Sequence, residues 1–390
     1  MSGPTLRDVL SGKRLIVLVG EGGVGKTSTA AAIAYASARM GSSVGVLTVD
    51  PAPRLGDALG ARDIGAAPRA VELPEAGAGS LVAMRLDSKR TFDRMVERYA
   101  PSPQAARALL RHPIYEAISG SLGGSEHYMA FQRLHELVEA GGPDVLVVDT
   151  PPATDAAELL SAPARLTGLL DTGALSILAE PARILARAGG ALARASISVL
   201  LALVERITGD ALQKSVGEFV RLFGDILGGL ENRAREIDAV LRAPQTAFVL
   251  VVRPRAQDVA RALAFHRALA DIGIEVAAIV VNRMTPPPPA DRLRSRAERL
   301  ADAPAPVRGA VAAMEREMDA LRLIESQALA RLRSALAGTA APIIVPLRAL
   351  EVDVATLADI GALADQLMVT PAPGPQARRS PSAGSAAGGE

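Results

Sequence analysis

The sequence predicts an α/β fold: a doubly wound, mostly parallel sheet with helical insertions on one end. Three observations carry this expectation. Short, continuous apolar runs recur along the chain, as strands buried on both faces require. Helix-favouring stretches lie between them, and that alternation is the pattern of doubly wound sheets. A glycine-rich turn directly follows the first run, before the first long helical stretch.

The elements follow in order. Residues 14–19 (RLIVLV) form the first buried strand, and residues 26–40 are Ala-rich and helix-favouring, closed by Gly41. Residues 44–49 make a second strand ending on Asp50, and residues 81–86 a third. Residues 144–149 give a fourth strand, again ending on an aspartate, Asp149. Residues 247–252 and 276–281 flank a helix and complete a βαβ unit of ordinary length. Residues 343–345 supply a last short strand, followed by the helical stretch 356–368.

Residues 89–142 and 155–243 break the alternation, with helical patterns and no strand. In the second, Val216, Phe219, Val220, Phe223, Ile226, Leu227 and Leu230 fall at spacings of three and four. That is an amphipathic face, which serves either as core or as a groove for a hydrophobic client. Residues 292–337 are helical with an interruption near Pro304 and Pro306, and Pro286–Pro289 reads as a stiff loop. The chain is expected to be one domain over 1–370, carrying these insertions. The Pro/Gly/Ser/Ala-rich tail 371–390 has almost nothing to bury and is expected to be disordered.

Composition removes several functions. The 390 residues include no cysteine, which excludes disulfides, zinc thiolate sites and cysteine nucleophiles. The 43 basic and 42 acidic side chains nearly cancel, so no bulk attraction to nucleic acid is expected. The first twelve residues are polar and too short for a signal peptide, and no apolar run approaches the roughly 18 residues of a spanning helix. A cytoplasmic protein is the expectation. Only four residues are lysine (Lys13, Lys26, Lys89 and Lys214), so each one kept in this arginine-rich chain raises the question of its use.

The segment Gly20-Glu21-Gly22-Gly23-Val24-Gly25-Lys26-Thr27, followed by Ser28, matches G-x-x-x-x-G-K-[ST] between a strand and a helix. Gly22, Gly23 and Gly25 let the backbone fold around phosphate oxygens with its N–H groups inward. The helix beginning near Lys26 adds the positive end of its dipole. Lys26 is placed to bridge β- and γ-phosphate oxygens, and Thr27 to offer its hydroxyl to Mg²⁺. Arginine's planar fork does not suit that point-charge role. Asp50 and Asp149 end two buried strands at the edge where α/β folds bind ligands. Each is placed either to work beside Mg²⁺–ATP or to serve as a turn or N-cap aspartate.

In sequence order, EGGVGKTS, VLTVDPAPRLGDALG (46–60), RTFDRMVERYA (90–100), VVDTPPATDAAELLSAP (147–163) and TAFVLVVRP (246–254) resemble the anion-transporting (arsenical-pump) ATPase family, over about residues 10–370. That family includes the guided-entry ATPases that carry tail-anchored membrane proteins. The resemblance implies a deviant phosphate loop, Mg²⁺–ATP hydrolysis to ADP and a nucleotide-dependent dimer. It also implies two switch segments coupled to a helical subdomain. By position, Asp50 would orient the attacking water, in a first switch with Pro51, Ala52 and Arg54. Asp149 would begin the second switch, Asp149-Thr150-Pro151-Pro152, and contact the metal through water. Asn282, followed by Arg283, resembles the family's adenine-reading asparagine, although an asparagine after a strand also serves simply as a turn residue. Pro346 and Leu347 resemble the segment that packs on the base.

The departures from the family pattern are as informative. The family loop begins Lys-Gly-Gly, and its lysine reaches the partner's phosphates across the dimer; here that position is Glu21. A carboxylate beside a polyphosphate is repulsive. Ala153-Thr154-Asp155 stands where a switch histidine is usual, and His127 where an acidic residue commonly precedes Tyr128-Met129. The missing cysteines remove the zinc clamp and the arsenite thiol site.

Two functions follow from this resemblance. The first is a dimeric switch ATPase that drives a membrane-associated transport or protein-targeting process, with a membrane protein as client or partner. The alternative is a nucleotide-binding regulatory subunit, heterodimeric with an intact paralogue that supplies the lysine. A DNA-partitioning ATPase needs a basic surface that the charge balance does not provide. A small-molecule kinase fits the loop but not the long helical insertions. The four histidines, His112, His127, His135 and His266, read as structural or surface residues.

Overall fold

The computed structural model describes residues 4–50, 52–61, 63–75, 78–119, 126–152, 210–287, 303–338 and 341–368. Among them the chain forms α1 (Leu6–Leu10), β1 (Leu15–Val19), α2 (Lys26–Arg39), β2 (Ser43–Thr48), α3 (Arg54–Ala58), β3 (Arg69–Val71) and β4 (Ser80–Arg85). Four helices follow without a strand: α4 (Ser88–Tyr99), α5 (Pro103–Leu110), α6 (Pro113–Ser119) and α7 (Glu126–Glu139). The rest is β5 (Val145–Asp149), α8 (Asp210–Leu241), β6 (Thr246–Val252), α9 (Ala256–Asp271), β7 (Val276–Met284), α10 (Ala305–Ala335), β8 (Ile343–Arg348) and α11 (Leu357–Met368).

The strands form one eight-stranded sheet in the order β3-β4-β2-β5-β1-β6-β7-β8. Every pairing is parallel except β3 with β4, so the expected mostly parallel α/β sheet is what the chain adopts. The continuous apolar runs are explained by burial on both faces. Along β1, Leu15, Val17 and Val19 enter one core while Ile16 and Leu18 enter the other. Helices α2 and α11 pack together over the second core, and α4 to α9 build on the first.

Several boundaries differ from the sequence expectation. β8 runs on through Pro346 to Arg348, three residues beyond the short strand expected. Pro346 lies opposite Val281 of β7 in an edge strand, where a missing N–H costs no second ladder bond. Pro304 is the N-cap of α10 and Pro306 falls in its first turn, where proline is tolerated, so the break expected near these prolines coincides with the start of a helix. The expected stretch from 292 to 302 lies outside the described residues, as do 155–209 and the tail 371–390.

The amphipathic face of the second insertion is core where its side chains are described. Phe219, Phe223 and Ile226 of α8 are buried. Phe219 stacks on Phe223 (centroids 5.4 Å), Phe92 of α4 stacks on Tyr115 of α6 (5.6 Å), and the His112 ring lies 5.4 Å from Phe219. No helix among the described residues is long and apolar enough to cross a membrane.

The foot of α8 is tied to α7 by charge. Arg233 is 1% exposed, and its Nη2 donates to Glu139 at 2.8 Å while Nη1 donates to Glu236 at 2.8 Å. The same Nη1 lies 2.7 Å from His135 Nδ1, so the imidazole accepts as the neutral ring. His135, Glu139 and Glu236 converge closely enough to suggest a metal site, a grouping that the histidine reading above does not contain. The Arg233 guanidinium already supplies the positive charge there.

Hydrogen bonding from Arg233, with help from Arg98, holds the Glu139 carboxyl down at about 2. A depressed carboxyl adds stability above its ordinary value that is lost as pH falls toward 2. Glu139 is 37% exposed, so solvent screening limits this to about 1 kcal/mol. Glu139→Gln is therefore expected to remove that part of the acid sensitivity. Urea midpoints at pH 7 and pH 3 check it, and equal acid losses in both proteins count against the account.

Candidate nucleotide-binding site

The phosphate loop joins β1 to α2 at the centre of the sheet, at the carboxyl edge of the parallel strands. Its conformation is one that only glycine enters easily. Gly23 and Gly25 have φ of 72° and 97°. Gly25 also lies so close to the Asn282 amide that a side chain there would collide with it. Gly25 is the N-cap of α2 and no side chain caps that helix, so its first N–H groups remain available to an anion.

Lys26 is buried beneath this loop. Its Nζ donates to the Gly20 carbonyl at 2.9 Å and to the Glu21 carbonyl at 2.8 Å, which holds the loop around the ammonium. Burial pushes its pKa below the ordinary lysine value, against the opposing pull of Asp149, Asp50 and Glu21. Thr27 and Ser28 are half-buried in the first turn of α2.

The Thr27 hydroxyl donates to Asp149 Oδ2 at 2.7 Å, and Thr48 donates to the same oxygen at 2.9 Å. Asp149 is 2% exposed, and burial raises its pKa although both hydroxyls oppose the shift. A hydroxyl and a buried carboxylate converging at the loop are the hard oxygen donors that Mg²⁺ takes, so these residues fit that ion. Thr48 is a participant that the sequence reading does not name.

Asp50 follows β2 at the same edge and is half-buried. Its Oδ1 accepts from the Ala52 N–H at 2.9 Å, and its Oδ2 lies 3.4 Å from Arg54. In this state it closes a turn leading into α3, and Oδ2 remains only weakly engaged. Pro51 and the segment Ala153-Thr154-Asp155 lie outside the described residues. Beyond Asp149, Thr150 is buried and donates to the Leu18 carbonyl at 2.6 Å, and Pro152 lies against Gly22.

Asn282 sits nearer the loop than its sequence position indicates. Its Nδ2 donates to the Val24 carbonyl at 2.8 Å and its Oδ1 accepts from the Arg283 N–H at 2.8 Å. It thereby braces the loop from β7, and an irregularity in that strand between Val281 and Met284 holds the exposed Arg283 at φ 62°. The Asn282 amide keeps a second N–H and a second lone pair for other partners. Leu347 is wholly buried in the core, whereas Pro346 is half-buried beside it.

Glu21 finds a partner that its sequence neighbours do not supply. Arg261 of α9 approaches both its carboxylate oxygens, at 3.1 and 3.4 Å. The pair borders a cavity of about 520 Å³ lined by Glu21, Gly22, Leu250, Asp258, Arg261 and Phe265. Lys26, Thr27 and Asp149 are not among its walls, so the cavity flanks the phosphate cradle on the α9 side.

Residues 13–302 match the family model described as anion-transporting ATPase. The chain is 26% identical over 303 residues to the ATPase GET3 of Malassezia globosa, an alignment covering 73% of this chain and 78% of that protein. It is 30% identical over 172 residues to an ATPase ASNA1 homolog of Dictyostelium discoideum, covering 44% of this chain and 47% of the relative. An uncharacterized protein of Streptomyces coelicolor is 35% identical over 176 residues, covering 45% and 42%.

Proposed function

The chain belongs to the anion-transporting ATPase family and is an ATP hydrolase; from that premise we propose that it is a Mg²⁺-dependent, dimeric switch ATPase that couples ATP hydrolysis to membrane-associated transport or protein targeting. The observation that carries the reading is the convergence of Lys26, Thr27 and Asp149 beneath a loop whose helix N-terminus has no side-chain cap. Lys26 exchanges its two loop carbonyls for β- and γ-phosphate oxygens. Thr27 and Asp149 would hold the metal, Asp149 through water, and Asp50 would accept a hydrogen bond from the attacking water through its weakly engaged oxygen. Mg²⁺, when bound, neutralises charge on the β- and γ-phosphate oxygens. Gly20 to Gly25 supply backbone N–H groups to the phosphates. Asn282, Arg283 and Pro346 form the adenine side, with Leu347 buried in the core beside Pro346. One ATPase domain over 1–370, with its helical insertions, is the proposed unit, and a cytoplasmic location goes with it.

The test combines turnover and mass. Turnover that chelation of Mg²⁺ abolishes, with a dimer in ATP and a monomer in ADP, is expected. Metal-independent turnover, or the same mass in both nucleotides, overturns the switch reading.

Glu21 favours a second reading, a regulatory subunit that pairs with a paralogue bearing the lysine. It predicts that Glu21→Lys raises turnover of the isolated chain about tenfold or more, by restoring a cation to the transition state. Equal rates for the native chain and Glu21→Lys exclude it.

A further inference from the structure

Glu21 is part of the cradle, because its own backbone carbonyl holds the Lys26 ammonium at 2.8 Å. A free carboxylate at this place repels a polyphosphate, and the repulsion grows with each phosphate charge. The carboxylate is not free. Arg261 engages both of its oxygens, and it is the one cation hydrogen-bonded to that carboxylate among the described residues. Lys26 spends its hydrogen bonds on backbone carbonyls, and Arg253 is paired with Asp258 at 3.0 Å.

The position of Arg261 is set by packing. Asp258, in the first turn of α9, is buried and ties that turn to Arg253 at the end of β6. Val259, Ala262 and Phe265 bury the inner face of the helix, which leaves Arg261 at its rim, facing the loop. Both members of the pair border the flanking cavity, whose walls do not include Lys26 or Thr27. The Glu21 carboxylate is thus drawn toward α9, away from the phosphate side of the loop.

We propose that Arg261 is a positioning residue for polyphosphate binding: it neutralises Glu21 and holds that carboxylate off the cradle, so that a loop without the lysine accepts a nucleoside triphosphate within one chain. The inference rests on the nucleotide-binding reading of the loop. It assigns no contact between Arg261 and the nucleotide; Arg261 acts through Glu21.

The experiment measures dissociation constants of ATP, ADP and AMP by calorimetry on the full chain. The native protein is compared with Arg261→Ala, Arg261→Lys, Glu21→Gln and the double variant Glu21→Gln/Arg261→Ala. Because the pair is partly solvated, Arg261→Ala is expected to weaken ATP about three- to tenfold, ADP less and AMP least, with the differences narrowing at high salt. Arg261→Lys restores most of the affinity, and the double variant returns close to native, because no charge remains to repel phosphate. An equal loss for all three nucleotides, or no recovery in the double variant, overturns the inference, because a packing defect gives that pattern. Unchanged ATP affinity in Arg261→Ala overturns it alone. A native chain that binds no ATP overturns the nucleotide reading, and the inference falls with it.

Discussion

Lys26→Ala is expected to lower the turnover number for ATP about 10²- to 10³-fold, the usual cost of deleting a preorganised donor at a site of developing charge. Three observations set the size of this effect. Lys26 is 7% exposed, so its charge acts in a poorly screened environment. Its partners in this state are two loop carbonyls, which hold the ammonium in place without neutralising it. Asp149, Asp50 and Glu21 oppose the effect of burial on its pKa, and removing it leaves Asp149 and Asp50 at the phosphate site without that cation. Lys26→Arg is expected to recover little, because a planar fork does not enter a pocket shaped for a point donor. The check is the turnover number, measured beside an unfolding curve to show that the variants fold. Turnover within about threefold of native in Lys26→Ala would sink the assignment.

This site was readable in the sequence because its chemistry is local. The loop, the lysine and Thr27 lie within eight consecutive residues, and the strand before and helix after them show in the apolar pattern. Asp50 and Asp149 were readable as strand-end aspartates. Their surroundings were not. Thr48 reaches Asp149 only because β2 and β5 pair in a register that sets Thr48 opposite it. Arg261 lies 240 positions from Glu21, and nothing in either neighbourhood marks the pair.

The same division holds for the fold. The seven parallel strands were legible because burial on both faces leaves an unbroken apolar run. β3 was not, since its three residues Arg69–Val71 are mostly exposed and form an antiparallel edge strand held by β4. The extension of β8 through Pro346 was hidden because proline reads as a strand stop, and only the edge position makes it tolerable. Arg233 is a buried arginine in a helical pattern otherwise read by its apolar residues. Two of its partners, His135 and Glu139, come from α7, nearly a hundred residues earlier.

Phe219→Ala is expected to destabilise the protein by about 3–5 kcal/mol, the range for deleting a buried aromatic ring from a core. The amphipathic face of α8 had two readings, interior packing or a groove for a hydrophobic client, and this substitution separates them. Phe219 is 2% exposed, stacks on Phe223 and meets the His112 ring. Phe223 in turn lies 6.4 Å from Phe92, which joins α8 to α4. Truncation therefore opens a void at the junction of two helical elements, and both lose dispersion contacts. A groove residue behaves otherwise: its ring contacts a partner rather than the rest of the chain, so its loss leaves unfolding unchanged. The internal control is α10, where Val307, Met314, Leu321 and Ile324 are exposed by 48, 53, 47 and 52%. Ile324→Asn there is expected to change stability by no more than about 0.5 kcal/mol. Urea unfolding followed by circular dichroism measures both. A Phe219→Ala midpoint equal to native would return the α8 face to the groove reading. A loss in Ile324→Asn as large as in Phe219→Ala would mean that the exposed face of α10 is covered in solution.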